Sequence, residues 1–580
     1  MKARLTALGL IFGIGFYLTA CAVGTDNVTG FMESITDSRD LVTEDITSSD
    51  TKENGSSSDT ADSLIELKDS DYYFDYTKET YSLITLNGDG AVFDSSYVSE
   101  KDGVITISGQ GVYVLTGSYS GSIVVDAGDN DKVYLVLENV DITATDGPAI
   151  YEKNADKVIV LLPGGTDNSL ADSSVFSDTS EDAPNGALWS NDSLTINGAG
   201  SLTVKAGFED GIVSKDKLKI MSGNITVEAY DEGIRGNDLV YIADAGIKIK
   251  SGDKGIKSDT YICVEGGILT VSAEDDAFNC DADIYIADSD IIITSGDDAI
   301  HADGNLTIES GVINIAKSHE GLEGNVITIN DGNISIIAED DGLNATSSSS
   351  GSSEKKDKED PFSVDESANI FINGGSIYVD SKGDGIDSNG NITVTGGYIY
   401  VSGAENSGNN ATDYQGTFLV NGGTVIATGM SGMYQSVSED SACFVIDCTG
   451  VSINAGDTVE VYGPDNDLLE SVTVPKKADS FMISSDYLIE GEEYTLIIGN
   501  ASYTYAAGTG SSVMTGMGFG GPDGGRPDFG DLPDGRRPEF GDGEIPDFGN
   551  FPDGQRPEFG DGEIPDFGDL PDGQRPDFGG

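Results

Sequence analysis

Between residues 208 and 403, large apolar residues recur every 22 positions in five columns. The first runs Ile212, Ile234, Ile256, Phe278, Ile300, and the second Leu218, Val240, Ile262, Ile284, Leu306. The others are Ile220, Ile242, Val264, Ile286, Ile308; Ile225, Ile247, Leu269, Ile291, Ile313; and Val227, Ile249, Val271, Ile293, Ile315. Columns two and three lie two residues apart, as do four and five, which is the spacing of alternate side chains on one face of a strand. A unit of two or three short strands cannot bury these residues alone, but stacked copies about 4.8 Å apart can. The pattern predicts an all-β, right-handed parallel β-helix with coils of about 22 residues, its hand taken from the general rule for parallel crossovers. A leucine-rich repeat is excluded because the coils lack its Leu-x-x-Leu-x-Leu spacing and its helix.

Each coil is marked by a small residue, Gly211, Gly233, Gly255, Ala277, Ala299, Gly321, Gly342 or Gly385, after a pair that is acidic in five of the eight and keeps one acid in Asp253-Lys254, His319-Glu320 and Gly383-Asp384. Residues 346–368, rich in Ser and charged side chains, interrupt the register and read as a loop between coils. Upstream, runs such as Val133–Leu137 and Val158–Leu162 predict earlier, wider coils, so the β-helix is assigned to 75–439. Residues 440–505 alternate over longer strands and predict a small β cap over the open end, since terminal repeats need covering. Residues 506–580 repeat Arg-Pro-Glu-Phe-Gly-Asp-Gly, and proline every few residues predicts a disordered acidic tail.

Residues 1–20 carry Lys2 and Arg4, an apolar run, and then Leu18-Thr19-Ala20 before Cys21. This is the pattern of a bacterial lipoprotein signal, too short for a comfortable membrane span, with Cys21 as the lipidation site. It predicts an extracellular, lipid-anchored protein whose residues 21–74 form a flexible Ser/Thr/Asp-rich tether, and a monomer is expected. The chain holds 101 Asp plus Glu against 31 Lys plus Arg, a formal charge of −70, which excludes nucleic acid as a direct partner. A hydrophobic content of 37% suits a narrow core one coil wide. Cys443 and Cys448, five apart in a strand-like run, point to opposite faces, so free thiols are expected.

The acidic pairs stack from coil to coil, and carboxylates about 5 Å apart repel by roughly 0.8 kcal/mol in water and about 3 kcal/mol at an effective dielectric of 20. Such a ladder calls for cations, and oxygen donors with scarcely any His or Cys select Ca2+. The expected ligands are Asp231, Asp253, Asp275, Asp276, Asp281, Asp297, Asp298 and Asp303. Where the chain has His319 in place of an aspartate, coordination is expected to weaken. Tyr241, Tyr261 and Tyr285, at outward strand positions, offer aromatic faces for sugar rings.

The stretch Val133 to Asn168, the coils Asp210-Gly211-Ile212 and Asp384-Gly385-Ile386, and Ile483-Ser484-Ser485 followed by Gly491-Glu492-Glu493-Tyr494 carry a resemblance. Through them residues 75–505 resemble the bacterial surface lipoproteins with a calcium-containing, carbohydrate-binding β-helix domain, formerly a domain of unknown function. The resemblance implies binding of plant-type, especially acidic, polysaccharide and a distant likeness to calcium-dependent pectate lyases. The reading favoured is a non-catalytic binding protein. One alternative is a uronate lyase using Lys257 and Arg235, although flanking carboxylates keep a lysine protonated, the wrong state for a base, unless Ca2+ intervenes. Another is a passive stalk or adhesin.

Overall fold

The computed structural model describes residues 65–180, 182–347 and 364–510. The signal, Cys21, most of the tether, the middle of the 346–368 insertion and nearly all of the tail lie outside the described residues. The described chain is a parallel β-helix of about 14 turns. In a regular coil three strands follow one another, as in Ile234–Gly236, Leu239–Ile242 and Gly246–Ser251. Each pairs in parallel with its counterpart one coil on, so that Ile234 meets Ile256, Val240 meets Ile262 and Ile247 meets Leu269. The coils thus present three faces, called first, second and third below.

The five apolar columns point inward. None of their 25 residues is more than 3% exposed, and they belong to one continuous core running from Ile84 to Met482. Phe278, Ile300, Leu322, Leu343 and Ile386 succeed one another along the inward side of the first face. The anchor glycines lie where the chain turns against its neighbour: a Cβ on Gly385 would stand 2.1 Å from Val401 Cγ1 and 2.5 Å from the Ala411 carbonyl oxygen. Only glycine fits there without displacing the next coil.

Upstream coils are longer, as predicted. Tyr134 pairs with Ile159 and Ile159 with Thr195, the second step enclosing an excursion that includes residues 176–180 and 182–185. The 440–505 segment is β throughout, but it does more than close an end. Ala478–Ser485 runs antiparallel to Thr424–Gly429 and to Phe444–Ile453. A four-stranded antiparallel sheet, ordered Leu468–Thr473, Thr458–Tyr462, Glu493–Ile498, Ala501–Ala506, follows. Its core includes Tyr378 and Tyr400, so the cap also seats on the outer side of the third face.

The expected tether boundary at 74 falls too late. Residues 65–78 form a strap that crosses the outward side of the second face, whose side chains succeed one another as Tyr134, Ile159, Thr195, Lys219, Tyr241 and Cys263. Phe74 and Tyr76 pack against Tyr134 and Ile159, while Ile65 and Leu67 pack against Tyr241 and Cys263. Between them Asp71, fully buried, pairs with Lys157 and Lys219 and accepts from the Thr195 hydroxyl at 2.8 Å. Burial pushes the Asp71 carboxyl up, yet these partners hold it below the usual range.

Candidate functional site

The first face is the chemically rich one. Its outward column runs Val124, Tyr151, Trp189, Val213, Arg235, Lys257, Asn279, His301, Glu323, Asn344, Asp387, Asp413. It begins apolar, becomes cationic and ends acidic. The apolar end is covered: Trp189 is 2% exposed, and Phe176 of the excursion stacks on Phe208 with ring centroids 4.2 Å apart. Where that cover stops, a cavity of about 330 Å³ opens between the excursion and the coils, with Lys215 and Arg235 in its wall.

Beside this column runs the second member of each acidic pair. Asp210, Glu232, Asp276 and Asp298 are each no more than 6% exposed. Burial, and then the carboxylate one coil on, pushes Asp210 up to about 8 and Asp276 up to about 6. Asp253, Asp231, Asp281, Asp297 and Asp298 are raised too, in each case first by burial. Asp275 is the exception. Burial raises it as well, but Lys254 bonds it and brings it below the usual range.

The protein supplies its own cations along the first part of this row. Lys257 Nζ lies 3.3 Å from Glu232 Oε1, and Arg235 Nη1 lies 3.4 Å from Glu232 Oε2. Two coils further, His301 Nδ1 is 3.0 Å from Asp298 and 2.9 Å from Glu323, while its Nε2 is 3.2 Å from Asp303. Hydrogen bonds with Asp298 and Glu323 push His301 up to about 11, so it is an imidazolium at neutral pH. Beyond it the compensation stops. Burial pushes Glu320 and Asp387 up to about 8, Asp384 to about 7 and Asp341 to about 6. Among the described residues, none of these four forms a salt bridge within 4 Å.

Of the eight expected metal ligands, the structure brings four together. Asp275, Asp276 and Asp297 each offer an oxygen, all within 4.8 Å of one another, and Asp298 joins Asp297 and His319 in a second group of that span. Asp303 faces His301 instead, and Asp231, Asp253 and Asp281 join none of these groups among the described residues. The donor set of Asp275, Asp276 and Asp297, three carboxylates from adjacent coils, suits a hard cation. His319 sits within such groups on both sides, with Asp297 and Asp298 and with Glu320 and Asp340.

Sequence reasoning missed the outward column itself. Glu323, Asp387 and Asp413 were not singled out, although each stands two residues after a coil's small anchor or its equivalent, a signal that was available in the register. The expected tyrosine platform is not one. Tyr241 is 2% and Tyr261 9% exposed beneath the strap, and Tyr241 hydroxyl donates to Glu265. Tyr285 packs half-buried at the edge of the same cluster. These rings hold the strap to the second face, because an outward apolar column is covered wherever the chain can reach it. Cys263, Cys280, Cys443 and Cys448 are free, buried thiols.

A family model described as carbohydrate-binding domain-containing protein matches residues 101–342, 254–409 and 294–471. A protein of the same description from Acetivibrio thermocellus (strain ATCC 27405) is 42% identical over 139 residues. That is 23% of this chain and 48% of the relative, so the chain spans about half the length of the curated relative it matches. A solved structure described as the polysaccharide lyase-like protein from C. thermocellum, gadolinium derivative, is 34% identical, with a TM-score of 0.39 over 40% of this chain and 97% of that one. The family matches jointly span residues 101–471, more than half of the 580, and the first face lies within them: the chain belongs to the carbohydrate-binding domain-containing family.

Proposed function

We propose that the first face binds an acidic, uronate-containing polysaccharide through Ca2+, and that the protein is held outside the cytoplasm by a lipid on Cys21. The observation that carries the binding reading is the division of the carboxylate row. Glu232, Asp275, Asp298 and Glu323 pair with Arg235, Lys257, Lys254 and His301, whereas Glu320, Asp341, Asp384 and Asp387 pair with no cation among the described residues. Buried carboxylates without a cationic partner are held near neutrality only at a cost, and a divalent ion shared with a sugar carboxylate relieves it. The cationic stretch at Arg235 and Lys215 suits a uronate directly, by charge-assisted hydrogen bonds. Ca2+, when bound, supplies positive charge; this chain's residues supply the oxygens and the straight row that orients an extended glycan.

Lys257 and Arg235 both pair with Glu232, an arrangement that positions the two side chains side by side for binding. The test is retention on polygalacturonate in calcium and in EDTA, with ultraviolet absorbance read for unsaturated product. Retention is expected in calcium alone, without a rise in absorbance. Asp384→Asn with Asp387→Asn is expected to weaken it about tenfold, or ~1.4 kcal/mol. Equal retention in EDTA would remove calcium from the reading, and rising absorbance would restore the lyase.

A further inference from the structure

The strap leaves two of its own rings uncovered, Tyr72 and Tyr73. Tyr73 is 46% exposed and stands at an open cavity of about 540 Å³, at the corner between the second and third faces. The volume falls in the ordinary range of ligand pockets, about 300–1,000 Å³. The floor is glycine and alanine from four successive coils, Gly164 to Gly246, and the polar rim is Ser222, Asn224 and Asp244.

Part of this smallness has a backbone cause: Gly198 and Gly223 have φ of 117° and 128°, where other residues are strained. Gly164 has no such φ, and a Cβ there would meet only Ala199 Cβ, at 3.7 Å. Neither turn geometry nor packing demands glycine at 164; a larger side chain would simply occupy the cavity. The polar rim is available as well. Ser222 is engaged with Asn197 and Gly198, but among the described residues the side chains of Asn224 and Asp244 form no hydrogen bond or ion pair.

We propose that this cavity is a second carbohydrate subsite, one for a neutral pyranoside. The apolar face of the sugar lies on the Tyr73 ring, and neighbouring hydroxyls bond the Asn224 amide and the Asp244 carboxylate. Charge selects the class: among the described residues no Lys or Arg lines the cavity, and the Asp244 carboxylate repels a uronate. The inference shares with the proposed function only that the chain binds glycan, and it needs neither Ca2+ nor the first face. The strap therefore makes two contributions, covering one column of rings and presenting a ring of its own.

The test is titration calorimetry of the full chain in EDTA with cellohexaose, xylohexaose and mannohexaose, beside polygalacturonate in calcium. At least one neutral hexamer is expected to bind, Tyr73→Phe to keep that binding, and Tyr73→Ala to weaken it tenfold or more. Gly164→Leu is expected to abolish it by filling the cavity, with melting temperature and polygalacturonate binding unchanged. This second variant decides the matter should Tyr73→Ala loosen the strap. Failure of all three hexamers, or binding indifferent to Gly164→Leu, overturns the subsite. Neutral binding that survives while polygalacturonate fails sinks only the acidic-glycan reading.

Discussion

Glu152 shows what one carboxylate does when the fold buries it without a cation. It is 1% exposed, its Oε2 accepts from the Ser190 hydroxyl and the Asp192 N–H at 2.9 Å each, and its Oε1 is buried with no partner. Burial pushes it up to about 7 from an ordinary 4.5. An acid whose folded-state value is raised favours folding while both states are protonated. It loses that contribution as pH rises, because the unfolded chain ionises first. Between pH 4.5 and 7 the loss is about 1.4 kcal/mol per unit, roughly 3 kcal/mol in all. Glu152→Gln keeps the two accepted bonds and removes the titration. Urea unfolding at pH 5 and pH 8 is expected to show a smaller stability difference for the variant by about that amount; an unchanged difference would assign the pH dependence to other carboxyls.

At the scale of the element, the strap shows where reading the sequence stopped. The 22-residue columns are legible because each inward residue has its counterpart one coil away at the same spacing, and the structure places all 25 inside. The strap has no period. Asp71 meets partners 86 and 148 residues away, in a segment whose composition reads as solvated. The tyrosines it covers therefore look like an outward platform until the cover is seen. The outward acids of the first face were missed for a related reason: their meaning comes from the neighbours stacked on either side, not from their own coil. Asp71→Ala leaves Lys157 and Lys219 buried with no counter-charge, a loss of about 3–5 kcal/mol for a buried pair. Early proteolysis near residue 71, with new Tyr241 and Tyr261 exposure by fluorescence quenching, is the expected result. A strap as protease-resistant as that of the parent would mean that the aromatic packing at its two ends suffices.

For the whole molecule, the proposed cation binding along the carboxylate row is a matter of stability as well as recognition. An ion at a hundred times its dissociation constant stabilises the folded state by about 2.7 kcal/mol per independent site. Melting temperature is expected to rise with calcium and fall with EDTA, read by calorimetry. Asp275→Asn with Asp276→Asn removes that rise if the ion sits among Asp275, Asp276 and Asp297. Asp384→Asn with Asp387→Asn removes it if the ion sits in the uncompensated stretch. No calcium effect on the parent would leave the row as carboxylates held partly protonated by burial.

The ladder also separates the length of the chain from the length of the molecule. Glu323 stacks on Asn344, and Asn344 on Asp387, with no slip in register, although the second step spends 43 residues where the first spends 21. Each step is one strand spacing, about 4.8 Å, whatever the chain does between them. Foreign sequence grafted at this corner would therefore leave the outward row its original length, whereas duplicating one 22-residue coil would lengthen it by a fixed increment. The molecule in effect carries a ruler graduated in coils, and on the proposed reading the span of glycan it engages is set by how many coils there are.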